Sequence, residues 1–138
     1  RSCLVTGAAS GLGFATTVRL ANHGWIVGAL DLPGKFSRID LPSSNIVPLE
    51  ADILNEECVS QALEDLIRRA PIRGVVHCAG VAFAATTVGK HGPHPMNGFE
   101  WVIKTNIMGT FQVARMSADA MAKNAPTEGW SRARSQLS

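Results

Sequence analysis

Residues 6–13 read Thr-Gly-Ala-Ala-Ser-Gly-Leu-Gly and follow directly on the apolar run Cys3-Leu4-Val5. Glycine weakens strands and helices alike, so Gly7, Gly11 and Gly13 mark a backbone that has to turn sharply here. Downstream, Leu12, Ala15, Val18, Leu20 and Ala21 recur at helical spacing as far as a His23-Gly24 stop. A strand that runs through a glycine turn into a helix leaves the first helical N–H groups bare. Together they carry roughly half a positive charge and form an anion site. The spacing is Gly7-x-x-x-Gly11-x-Gly13, and no Gly-Lys-Ser/Thr follows, which excludes a Walker-type loop. Close packing alone would also call for such a turn, so the local residues leave both readings open.

The rest of the chain alternates in the same way. Trp25–Leu30 is a continuous apolar run of strand length, as expected where helices cover both faces of a parallel sheet. Residues 33–45, with Pro33, Gly34 and Pro42, read as a loop, and Asn45–Ala51 as a third strand. Asn55 is placed to cap a helix whose first turn holds Glu56 and Glu57; it runs to Arg68-Arg69 and stops at Pro71. Gly74–Cys78 reads as a fourth strand and residues 81–96 as a long loop. A final helix over 97–123 places Phe99, Val102, Ile103, Ile107, Phe111 and Ala114 on one face, suited to core packing or to an oligomer surface. This order of strands and helices predicts an α/β fold, the first half of a doubly wound parallel sheet.

Composition narrows the function classes. A hydrophobic fraction of 46% with 17% charged residues fits one soluble globular domain, and a net charge of +2 is too small to imply nucleic acid. No apolar run is long enough to cross a bilayer, so no membrane partner is expected. The three cysteines, Cys3, Cys58 and Cys78, are scattered without metal-ligand spacing, which suggests reduced thiols and an intracellular protein, mitochondrial or cytoplasmic. The chain opens at Arg1 without an initiator Met, as a piece of something longer would.

Asp31 closes the second strand, where an acidic residue roughly 20 positions after the turn can hold a ribose diol. Its carboxylate repels a 2′-phosphate and so favours NAD over NADP, with Lys35 and Arg38 near enough to soften the preference. A plain strand-end cap is the alternative.

At these residues a resemblance emerges. Thr6–Gly13 resembles the TGxxxGxG cofactor motif of the short-chain dehydrogenases/reductases, Asp52-Ile53 resembles their adenine-contacting pair, and Cys78-Ala79-Gly80 stands where they carry Asn-Ala-Gly. The resemblance covers about residues 2–125. The runs LDLPG, GVAFAATTVGKHGPHP and NIMGTFQVARMSADAMAKN look most like the type-2 3-hydroxyacyl-CoA dehydrogenase group. It implies a partial Rossmann-type NAD-binding domain over residues 1–125, ending after about four strands and the long helix, with an irregular polar tail over 126–138. It further implies a homo-oligomer and an NAD-dependent interconversion of a secondary alcohol, a 3-hydroxyacyl-CoA or hydroxysteroid, with its ketone. NAD contacts would come from Gly7, Ser10, Gly11, Leu12, Gly13, Asp31, Asp52, Ile53, Cys78, Ala79 and Gly80.

The family removes the alcohol proton with a serine, a Tyr-x-x-x-Lys pair and an asparagine that holds a water in the proton relay. Asn106 matches that asparagine, with a kinking or core-bonded role as the alternative. The other members are missing, and the sequence contains no tyrosine. The chain alone is therefore expected to be inactive, either the cofactor half of such an enzyme or a non-catalytic dinucleotide-binding or interaction module. His91 and His94 are better read as loop residues than metal ligands, and His77 as a hydrogen-bonded core histidine.

Overall fold

A computed structural model describes residues 1–125; the polar tail expected over 126–138 lies outside the described residues. Four strands, β1 (Ser2–Thr6), β2 (Ile26–Asp31), β3 (Ile46–Glu50) and β4 (Ile72–His77), form one sheet in the order β3-β2-β1-β4. All three pairings are parallel, with Val5 opposite both Ala29 and Val76. This is a Rossmann-type parallel sheet, as the apolar runs predict.

Because side chains alternate across a strand, each run feeds two cores. Leu4, Leu30, Leu49 and Ile72 pack on one face with Val59, Leu63 and Leu66 of α2 (Glu56–Arg69). Cys3, Val5, Val27 and Ala29 pack on the other with Ala21 of α1 (Gly11–Asn22). Residue 28 must be glycine for the first core to close, since a Cβ there would lie 2.8 Å from a Leu66 methyl and 2.9 Å from a Leu49 methyl. Pro48 fits β3 because that strand pairs only with β2 and can spare an N–H donor on its outer edge. The Asn55 side chain accepts from the Cys58 N–H at 3.1 Å, the cap its position predicts.

The structure corrects the boundaries of the last third of the chain. β4 begins at Ile72, not Gly74, with Arg73 as the extra residue where the register against β1 shifts between Ser2 and Cys3, and it ends at His77, one residue before Cys78. Within the expected 81–96 loop, β5 (Val88–Gly89) and β6 (Gly92–Pro93) form a small antiparallel hairpin. The single helix expected over 97–123 is α3 (Met96–Ile103), a π-helical turn (Lys104–Gly109) and α4 (Thr110–Ala122). The buried ridge of this composite helix is Gly98, Gly109, Val113 and Ser117, small residues that let it sit close. A Cβ on Gly109 would lie 2.6 Å from the Ile53 side chain.

The apolar stripe singled out in the sequence faces outward. Phe99, Ile103, Ile107 and Phe111 are 51%, 40%, 61% and 67% exposed, so core packing does not explain it. Full burial of such side chains is worth about 1.5–3 kcal/mol each. The 138-residue chain is accordingly expected to self-associate, and Ile107→Lys with Phe111→Lys to shift it towards monomer in sedimentation at rising concentration. A monomeric wild-type chain with a sharp, concentration-independent melt would contradict this.

Candidate functional site

The carboxyl ends of the four sheet strands open into one crevice of about 560 Å³. Its first wall is the glycine turn. Gly7 takes a φ of 64° and Gly11 a φ of 51°, values that side-chain-bearing residues rarely adopt. Gly7 lies against the β4 end, where a Cβ would come within 2.8 Å of the Ala79 nitrogen. Gly13 presses the start of α1 onto the turn, with its Cβ position 2.0 Å from the Gly7 carbonyl oxygen. The turn is thus held on both sides by backbone, and the packing requirement and the anion-site geometry coincide.

The two helices that follow strands are finished differently. The N-terminus of α2 is closed by Asn55 and has Glu56 and Glu57 in its first turn. At α1, Ser10 occupies the cap position in extended conformation without a side-chain cap bond, and no acidic residue stands in the first turn. The N–H groups of Gly11, Leu12 and Gly13 are therefore left for an anion, and these residues and Ser10 line the crevice.

Asp31 sits at the end of β2 on the same crevice. Its Oδ2 accepts from the Ala9 N–H at 2.9 Å and its Oδ1 from the Leu32 N–H at 2.8 Å. The strand-end cap foreseen as an alternative is real, and it also ties β2 to the glycine turn. An ionised carboxylate has roughly four acceptor sites, so two remain for a diol. Asp52 likewise makes the turn bond of its alternative reading, Oδ1 accepting from the Leu54 N–H at 2.9 Å, while lining the crevice with Ile53.

The third wall is Cys78-Ala79-Gly80. Thr6, the last residue of β1, accepts through Oγ1 from the N–H groups of Cys78 and Ala79, both at 3.2 Å. Every residue expected from the sequence to contact NAD thus lines this one crevice. Asn106 stands just behind it, next to Thr105 of the lining. Its side chain is committed to Val81, Oδ1 accepting from the backbone N–H at 2.9 Å and Nδ2 donating to the carbonyl at 2.8 Å. Its own backbone carbonyl accepts from Thr110 Oγ1 at 2.6 Å.

Trp101, Val81 and Thr105 also line the crevice and were not singled out in the sequence, since nothing in their spacing distinguishes them. His77 lines it too, with both ring nitrogens hydrogen-bonded, Nδ1 2.8 Å from Thr6 Oγ1 and Nε2 3.0 Å from Thr110 Oγ1. Burial pulls its pKa below the ordinary histidine range, with an Ala79 backbone hydrogen bond opposing the shift. Burial likewise pushes the Cys3 thiol up to about 11, while Cys78 is exposed. His94 lies edge-on to Phe83 and Phe99, at centroid distances of 5.6 and 6.5 Å, and among the described residues no metal-binding cluster forms.

This sheet order, with an open helix start beside the switch point between β1 and β4, defines a dinucleotide-type crevice. The short chain dehydrogenase family model matches residues 1–128, and the chain belongs to that family. It is 37% identical over 136 residues to human 3-hydroxyacyl-CoA dehydrogenase type-2, covering 94% of this chain and 51% of that protein. The Drosophila melanogaster protein of the same name is 40% identical over 133 residues, covering 91% and 51%. The crystal structure of 3-hydroxyacyl-CoA dehydrogenase type-2 from Mycobacterium avium superposes with a TM-score of 0.85 at 30% identity, over 93% of this chain and 52% of that one. The chain spans about half the length of these relatives.

Proposed function

We propose that the crevice binds NAD and that the chain is the cofactor-holding half of a dehydrogenase interconverting a secondary alcohol, a 3-hydroxyacyl-CoA thioester or hydroxysteroid, with its ketone. The observation that carries this reading is the pairing of an uncapped α1 with a tight glycine turn, in which a Cβ on Gly7 or Gly13 would strike backbone, opposite Asp31. When bound, NAD supplies the hydride acceptor. The amides of Gly11, Leu12 and Gly13 receive the diphosphate, Asp31 the ribose hydroxyls, Asp52 and Ile53 the adenine end, and Cys78–Gly80 the floor. The 3-hydroxyacyl-CoA class follows the names of the relatives that the chain is similar to, and the hydroxysteroid alternative follows the resemblance of its sequence runs.

A second reading, a dinucleotide-binding module without catalysis, is favoured by one fact: the 138 residues contain no tyrosine. Both readings require NAD binding, and Asp31 tests it. Calorimetry is expected to give weaker NADP than NAD binding, because Asp31 faces the 2′-position. Asp31→Ala should weaken NAD by about 1–3 kcal/mol, the scale of lost bonds to a charged group. Asp31→Asn, which keeps an acceptor for Ala9, should narrow the gap between NAD and NADP. Equal NAD affinity in the wild type and Asp31→Ala would remove Asp31 from the ribose.

A further inference from the structure

His77 lies in a chain of hydrogen bonds whose direction can be worked out atom by atom. Thr6 Oγ1 accepts from two backbone N–H groups, those of Cys78 and Ala79 at 3.2 Å. The Cys78 N–H is shared with the Thr6 carbonyl oxygen, also at 3.2 Å, but both N–H groups still face the lone-pair side of this hydroxyl, which has one proton to give. Its proton goes to the remaining partner, His77 Nδ1 at 2.8 Å. Nδ1 is then an acceptor, and the proton of the neutral imidazole resides on Nε2. Nε2–H donates to Thr110 Oγ1 at 3.0 Å, and the Thr110 hydroxyl donates in turn to the Asn106 carbonyl at 2.6 Å. Every proton points the same way, from the amides after β4 to the carbonyl inside the π turn. The Nδ1–H tautomer would aim a third N–H at the Thr6 hydroxyl, beside those of Ala79 and the shared Cys78, and would set Nε2 against the Thr110 proton already given to Asn106.

We propose that His77, held as the neutral Nε2–H tautomer, is a positioning residue that acts through Thr110 on the Asn106 carbonyl and couples the crevice floor to the π turn. The assignment rests on the reading of this crevice as the dinucleotide site. Asn106 is then fixed at both ends: its amide side chain grips Val81, and its carbonyl is oriented by Thr110. The π turn supports this arrangement, since such turns shift a backbone carbonyl out of the regular helical ladder.

Several titratable groups occupy the surrounding elements: Cys3 on β1, Arg73 on β4, Cys78 after it, Lys104 on the π turn, Arg115 and Asp119 on α4, and Asp31 and Asp52 across the crevice. Among the described residues none is hydrogen-bonded to the ring. Lys104 lies by Glu100, Arg115 pairs with Glu56 and Asp119 with Lys123. The ring's protonation state is therefore set by its burial, by the Ala79 backbone hydrogen bond that opposes it, and by its two hydroxyl partners.

Nitrogen-15 spectra of the histidine-labelled 138-residue chain report the tautomer directly, without substitution. A neutral Nε2–H ring is expected at pH 7.5, with the Asn106 carbonyl carbon signal moving on acidification at the same midpoint as His77. Thr110→Val should shift both signals, and Thr110→Ser, which restores the hydroxyl, should return them to their wild-type positions. An Nδ1–H ring, a carbonyl that ignores the His77 titration, or Thr110→Ser behaving like Thr110→Val would each overturn the proposal. Adding NAD to the same sample separates the two readings. A relay found intact in a chain that NAD does not perturb would sink the dinucleotide reading and leave the Thr6–His77–Thr110–Asn106 connection standing.

Discussion

Gly13→Ala is expected to cost the chain about 3 kcal/mol of stability or more and to abolish NAD binding. The added Cβ would sit 2.0 Å from the Gly7 carbonyl oxygen and 2.6 Å from its carbon, distances no pair of non-bonded atoms sustains. Relief by movement of Gly7 is blocked, because Gly7 is itself packed against the backbone of Cys78 and Ala79. The remaining route is to pull α1 away from β1, which loosens the core around Val5, Ala8 and Ala21. Overpacking of this kind typically costs about 1–3 kcal/mol and more when only backbone can yield, against a total of about 5–15 kcal/mol for a typical domain. Gly11→Ala is the matched control. Nothing lies within 4 Å of its Cβ position, so only its φ of 51° penalises the change, at about 1–2 kcal/mol. Denaturant midpoints and NAD titrations of the two variants check the contrast. Equal midpoints for Gly13→Ala and the wild type would show that the turn is not packed as described.

The second large effect is on turnover. The 138-residue chain, saturated with NAD, is expected to oxidise a 3-hydroxyacyl-CoA thioester at least about 10²–10⁴-fold more slowly than a full-length relative, the usual worth of a positioned general base. No tyrosine exists in the sequence to act as that base. His77 and Asn106, the two side chains that could otherwise serve a proton relay here, already have hydrogen-bond partners. Both ring nitrogens of His77 are hydrogen-bonded, and the Asn106 side chain is spent on Val81. Absorbance of the reduced cofactor provides the assay. Turnover within tenfold of a full-length relative would mean that another group in this chain takes the proton.

Much of the fold was legible because the central strands β1 and β2 are buried on both faces and so read as unbroken apolar runs, and because Asn55, Glu56 and Glu57 announce a helix start. The crevice was legible because its walls are short local motifs, each at the end of one strand. Legibility failed where structure depends on partners distant in sequence. The start of β4 is set by a register shift against Ser2, and no residue in β4 encodes that. The π turn leaves the apolar period unbroken from Phe99 to Phe111, yet the stripe so marked faces solvent. The inward ridge is carried by Gly98, Gly109 and Ser117, residues a hydrophobicity pattern passes over. Asp31 and Asp52 show a different limit. The sequence set turn-making against ligand-facing as alternatives, whereas one carboxylate bonds the turn and still lines the crevice. His77 was recognisable as hydrogen-bonded, but it sits half-buried on the crevice rather than in the core, and its partners lie 71 and 33 positions away, beyond the reach of local pattern.

The central claim is that the amides of the first turn receive the diphosphate of a dinucleotide. Backbone amide spectra of the 138-residue chain titrated with NAD test it most directly. The account requires a saturable response whose largest shifts fall on Gly11, Leu12 and Gly13, accompanied by Asp31 and Ala79. Saturating NAD that leaves those amides unmoved, or moves instead a face remote from the carboxyl ends of the strands, would contradict it.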